Sequence, residues 1–181
     1  NRWTVLTFHR PIYSPLAGRD NKAVREAWRP VIDRAPKGVD LVLQGHDHTY
    51  GRSGLMRDDN ALSGGQVLTE RGTVYCVSVS GPKLYTVGDR SWMVKKGEGL
   101  QMYQLVRVDG DRLHYESRTA KGDLFDGFEL RKRANGTNEL IETPGTFAAD
   151  ESGEDRGYGA AAAAAAILGL LGVAISWALR R

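Results

Sequence analysis

An α/β fold that closes in an α+β-like manner is predicted by two patterns. A strand-like run, a helix-like run and a second strand-like run follow one another within the first 44 residues, the order of a βαβ unit. Several later strand-like runs then follow without helices between them, two of them joined by the hairpin signal Asp109-Gly110-Asp111. At 181 residues and 41% hydrophobic content, the chain is long enough for one domain with a real core.

The first run, Trp3-Thr4-Val5-Leu6-Thr7-Phe8, is β-branched and aromatic and stops at His9-Arg10-Pro11. From Asn21 to Arg34 the pairs Ala23/Val24, Ala27/Trp28 and Val31/Ile32 recur at four-residue spacing among charged residues, which predicts an amphipathic helix. Pro30 lies inside it, so a kink or a fresh helical start is expected there. Pro36 and Gly38 end that helix, and Val39 to Gln44 forms the second strand. Residues 53–71 are polar and contain Ser63-Gly64-Gly65, which predicts a surface loop. Strands are expected at Thr73 to Ser80, Gln101 to Val108, Leu113 to Arg118 and Leu124 to Leu130, the last three as an antiparallel meander. Gly88-Asp89 falls in a polar loop and reads as a turn.

Two limits come from composition. The net charge is +3, and no Lys/Arg run of the kind that tracks a phosphate backbone occurs, so no nucleic-acid partner is expected. The single cysteine, Cys76, lies in an apolar run without a disulfide partner, and is expected to be a buried thiol.

The chemistry concentrates where the two parallel strands end. In such sheets ligands bind beyond the carboxyl ends of the strands. His9 leaves the first strand there, and Gly45-His46-Asp47-His48 leaves the second. If the backbone stays extended, His46 and His48 face the same way. Imidazole is the commonest neutral metal ligand, so His9, His46 and His48 together predict a metal site. For the His-x-His pair taken alone, two turn histidines hydrogen-bonded at a strand end is the plainer alternative. His114, inside a later strand, is expected to be packed or solvent-facing.

Together, Trp3 through Ser14 and Val39 through Arg52 resemble the C-terminal metal motifs of the calcineurin-like metallophosphoesterases, in the form found in purple acid phosphatases. Gly72 through Tyr85 is similar to the strand and loop that follow in bacterial members. The resemblance covers roughly residues 1 to 133, and rests on a Gly-His-x-His segment with His-x-Pro about thirty-five residues upstream. It implies a β-sandwich flanked by helices, of which this chain would be the C-terminal half, with a two-metal centre at one edge. His9 and His46 would bind one metal and His48 the other; Arg10 would be a phosphate contact, with Tyr13, Tyr50 and Arg52 nearby. The cofactors implied are iron paired with zinc, manganese or a second iron. The family's earlier motifs, Asp-x-His or Asp-x-Gly, Gly-Asp-x-x-Tyr and Gly-Asn-His, are absent from this sequence. Three imidazoles supply no bridging carboxylate, so the remaining ligands are expected from a preceding half, and this chain is expected to be the inactive C-terminal piece of a longer protein.

The function implied is metal-dependent hydrolysis of phosphate monoesters, on a phosphorylated small molecule or phosphoprotein. A phosphodiesterase or nucleotidase of the same superfamily, or a non-catalytic surface binding module, are the alternatives. Residues 134–159 are expected to form a flexible linker. The sequon Asn135-Gly136-Thr137 within it is a match short enough to occur by chance. Residues 160–179 are uncharged and apolar over about twenty positions, which predicts a membrane anchor or sorting segment. Arg180 and Arg181 would lie on the cytoplasmic side, placing the domain at an extracytoplasmic face, periplasmic or cell-surface.

Overall fold

Two sheets packed face to face, with one helix against the outer side of the first, make up residues 1–143, the part of the chain that the computed structural model describes. The elements are β1 (Val5–Phe8), α1 (Lys22–Asp33), β2 (Leu41–Gln44), β3 (Tyr50–Ser53), β4 (Met56–Arg57), β5 (Asn60–Ala61), α2 (Gly65–Thr69) and β6 (Val74–Val77). They continue with β7 (Met93–Gly97), β8 (Met102–Asp109), β9 (Arg112–Thr119), β10 (Leu124–Lys132) and β11 (Asn138–Glu142). The first sheet has the order β1-β2-β6-β3-β7, and the second is the meander β11-β10-β9-β8. β1, β2 and β6 run parallel, with Val5 beside Leu41 and Leu41 beside Val74. β3 turns antiparallel to β6 and to β7.

Side-chain alternation decides the layers. On β2 and β6, Leu41, Val74 and Cys76 point toward the meander and join Leu113, Tyr115, Phe128 and Leu130. Their neighbours Val42 and Tyr75 point the other way, and pack with Ile12, Tyr13 and the α1 residue Ile32. Both faces of these strands are therefore buried, which is why they read as unbroken apolar runs. Each fully buried side chain of this size contributes about 1.5–3 kcal/mol relative to exposure.

The helix differs from expectation in two respects. It runs through Pro30 to Asp33 as one element, although Pro30 offers no N–H to the preceding turn. Its buried stripe is also narrow: Ile32 is buried, whereas Trp28 and Val31 are 51% and 69% exposed. β1 is the edge strand of its sheet, so the surface under α1 ends before it reaches those two residues. Trp28 stacks on Phe8 of that edge, with ring centroids 5.3 Å apart.

Residues 53–71 are not simply a loop. They hold the β4–β5 hairpin and α2, and bury Leu55 and Met56. The hairpin turns on Asp58 and Asp59, at φ +50° and +63°, the left-handed pair that a two-residue turn of this kind requires. Polar composition hid the few apolar anchors. The boundary expected after Arg133 also moves: β11 pairs with β10 from Phe128↔Glu142 to Lys132↔Asn138, so the second sheet extends into the stretch read as linker. Alternation over five residues in a polar context was too weak a signal to find it. Asn135 of the sequon forms a local turn, its Oδ1 accepting from Thr137 and its Nδ2 donating to the Leu68 carbonyl at 2.7 Å. The remainder of the expected linker, and the apolar segment 160–181, lie outside the described residues. Among the described residues no helix is long and apolar enough to cross a membrane.

Candidate metal centre

The parallel register of β1 and β2 places Phe8 beside Gln44, so the residues that follow, His9 and Gly45, leave the sheet side by side. The Gly45 amide donates to the His9 carbonyl at 3.1 Å and carries the pairing one step past the strands. The chain then turns sharply, the Asp47 amide donating to the Gly45 carbonyl at 2.8 Å with His46 between them at φ +69°. This three-residue turn with positive φ is a strained conformation, and rare for a residue with a Cβ. It swings His46 toward His9. The rings meet edge to face with centroids 5.0 Å apart, and His46 Nδ1 lies 3.1 Å from His9 Nε2.

His48 has partners of its own. Its Nδ1 lies 2.7 Å from the carbonyl of Lys83, and its ring stacks on Tyr85 at 4.8 Å between centroids. A carbonyl only accepts, so Nδ1 carries the proton and Nε2 of the neutral ring keeps its lone pair. That is the arrangement by which a carbonyl orients a metal-ligating histidine. The turn at Gly45–Asp47 departs from the extended geometry on which the same-facing orientation of His46 and His48 was expected, so each ring is held by partners of its own. Among the described residues no group of three or more His, Cys, Asp or Glu side chains forms a ready cluster.

The electrostatics favour neutral imidazole at His46. Burial lowers its pKa, and the cation of Arg19 adds to this; Asp47 opposes, and His9 and Arg10 push further down. Asp47 itself is fully buried and turned away from the histidines, accepting from Ser14 Oγ and Arg19 Nη1 at 2.5 Å each. It ties the tight turn to the segment after β1.

The other expected residues separate into two groups. Arg10 is exposed at the strand exit beside His9, its carbonyl held by Gln44 Nε2 at 3.3 Å. Tyr13 is buried against Tyr75 and donates to Asp59 at 2.6 Å, on the wall of a cleft of about 320 Å³ that also includes Arg19, Arg25 and Trp92. Tyr50 and Arg52 turn their side chains to the second sheet. Both lie on β3 and are buried facing the meander: Tyr50 donates to Asp126 at 2.7 Å, and Arg52 holds Asp126 and Glu142. Burial opposes the Arg52 charge, and the two carboxylates more than offset it. β3 runs back antiparallel to β6, and the partners of these two side chains lie on the meander. Arg19, Lys83 and Tyr85 were missed. Each acts through folding that joins distant segments, and no local motif marks them.

The arrangement as a whole, histidines beyond two parallel strands with an antiparallel meander behind them, is similar to part of the fold of a solved purple acid phosphatase. It matches the solved structure of purple acid phosphatase PPD1, isolated from yellow lupin (Lupinus luteus) seeds, with a TM-score of 0.60 over 74% of this chain at 18% sequence identity. The chain spans about a quarter of that structure, 26% of its chain. No family model matches this sequence, and no curated protein matches it.

Proposed function

We propose that this chain carries the histidine side of a two-metal phosphoesterase centre, and that the complete protein hydrolyses phosphate monoesters. The observation that carries the reading is the approach of His9 Nε2 to His46 Nδ1, 3.1 Å, at the carboxyl end of two parallel strands in a phosphatase-like fold. Two nitrogens that each bond one ion at about 2.0–2.1 Å lie roughly 3 Å apart, so the pair fits a shared ion without rearrangement. His48, with Nδ1 engaged by Lys83 and Nε2 unclaimed, fits a ligand to a second.

Bound ions of this kind supply Lewis acidity toward a phosphoryl oxygen and lower the pKa of a water. The chain's own residues prepare for that chemistry. The turn at His46 holds its ring against His9, and Lys83 and Tyr85 fix the His48 ring in both tilt and tautomer. Arg10 and Arg19 place positive charge around His46, which adds to burial in lowering its pKa, and that charge draws in an anionic substrate. The oxygen ligands that such a centre needs come from outside the described residues, and the metals, by the resemblance, would be iron with zinc, manganese or iron.

Metal analysis of the complete protein tests this. His46→Ala and His48→Ala should each lower bound transition metal and abolish turnover of p-nitrophenyl phosphate. Unchanged metal content in both variants would refute the reading and favour a binding module with structural histidines.

A further inference from the structure

We propose that the chain has a second anion site, at the end of the first sheet opposite to the histidines, and that it takes a small soluble polyphosphate. A cleft of about 530 Å³ lies there beside Asn1, and its charged lining is Arg2, Lys37, Arg71, Lys132 and Arg133, with Asp111 as the acid among them. Arg2 and Lys37 precede β1 and β2, whereas His9 and His46 follow those strands. His9 lies seven positions after Arg2 along the run that holds β1, roughly 20 Å if extended.

Arg71 is built into this cleft. Its side chain passes between Gly38 and Gly136, which have φ of +74° and +82°. A Cβ on Gly38 would stand 3.1 Å from Arg71 Cδ, and one on Gly136 3.0 Å from Nη2. Both turns favour glycine for their backbone angle, and a Cβ at either would crowd Arg71, which would have to give by a few tenths of an ångström. Nη1 donates to the Pro36 carbonyl at 2.5 Å, which fixes the guanidinium, and its other N–H groups have no partner among the described residues. A fixed planar fork with free donors is the group that binds phosphate oxygens in pairs.

The remaining cations differ in how far they are neutralised. Lys132 is paired with Asp40 and lies over the Trp3 ring at 4.5 Å, and Arg133 is 3.5 Å from Glu139. Arg2 and Lys37 are exposed and have no carboxylate partner among the described residues. Like charges gathered without counter-charges repel one another, and a polyanion relieves that repulsion. The cleft lies in the size range of small-molecule sites, and Arg2, Lys37 and Arg71, the cations of its lining without a carboxylate partner among the described residues, call for more negative charge than one phosphate carries, so its ligand has two or more linked phosphates. The site does not depend on the phosphoesterase reading, since none of its residues is shared with the histidine edge.

The test is calorimetric titration of the metal-stripped protein, carrying His46→Ala and His48→Ala, with inorganic tripolyphosphate. Saturable binding that weakens with added salt is expected. Lys37→Glu and Arg71→Gln should each weaken it about tenfold or more. Lys121→Glu, at the far end of β9 from Asp111, should change it by less than twofold. Because Lys37 and Lys121 are both exposed, these two variants should keep the circular dichroism of the parent. No saturable binding, equal weakening by Lys121→Glu, or binding to anionic phospholipid vesicles without binding to tripolyphosphate would each overturn the proposal.

Discussion

Arg52 Nε and Nη2 reach the two carboxylate oxygens of Asp126 at 2.6 and 3.1 Å, and this buried pair ties the first sheet to the second. Tyr50, two residues before it on β3 and on the same face, donates to the same carboxylate. Removing one partner leaves the other charged and out of water. Arg52→Ala should therefore cost about 3–5 kcal/mol in urea denaturation. The histidine edge lies outside this network, so a preparation of the variant that stays folded should keep its metal content.

Adjacent helix residues should behave oppositely. Ile32 is 3% exposed and packs on the sheet, whereas Val31 is 69% exposed. Ile32→Ala should cost about 2–5 kcal/mol, and Val31→Ala less than about 0.5 kcal/mol. Chemical denaturation of the two variants side by side would show it, and a large loss at Val31 would mean that something covers that face.

The turn at His46 predicts a conflict between stability and the site. An L-residue at φ +69° carries strain of about 1–2 kcal/mol, which glycine does not. Comparing His46→Gly with His46→Ala removes the imidazole in both, and isolates the backbone. The glycine variant should be the more stable by about 1 kcal/mol, read as a higher denaturation midpoint.

Burial pushes the Cys76 thiol up to about 12, from an ordinary value of 9.0. The unfolded chain then loses its proton at lower pH than the folded one. The contribution is fully present below about pH 9, and is lost as pH rises toward 12. Stability should fall with alkali across that window, less so in Cys76→Ala once its own packing loss is subtracted. Native protein at pH 8 should resist alkylation by iodoacetamide that the urea-unfolded chain undergoes readily.

The sequence by itself determined the strand, helix and strand order, the closing meander, and the exit of His9 and His46 from two neighbouring parallel strands. Those features are local: period-two and period-four apolar spacing, breaker residues, and the handedness of a βαβ crossover. Only the tertiary structure decided where Tyr50 and Arg52 point, since both faces of β3 are buried and the polar one is chosen by Asp126 and Glu142, more than seventy residues away. It also decided the direction in which the His48 ring is held. A single left-handed residue and the Lys83 carbonyl set that direction, and neither leaves a pattern in the chain near the motif. The addition of β11 and the cationic cleft at the far edge depend likewise on segments brought together from residues 1–38, 71 and 111–142. Spacing along the chain encodes which face a residue takes, but what that face meets is settled by contacts that the spacing does not contain.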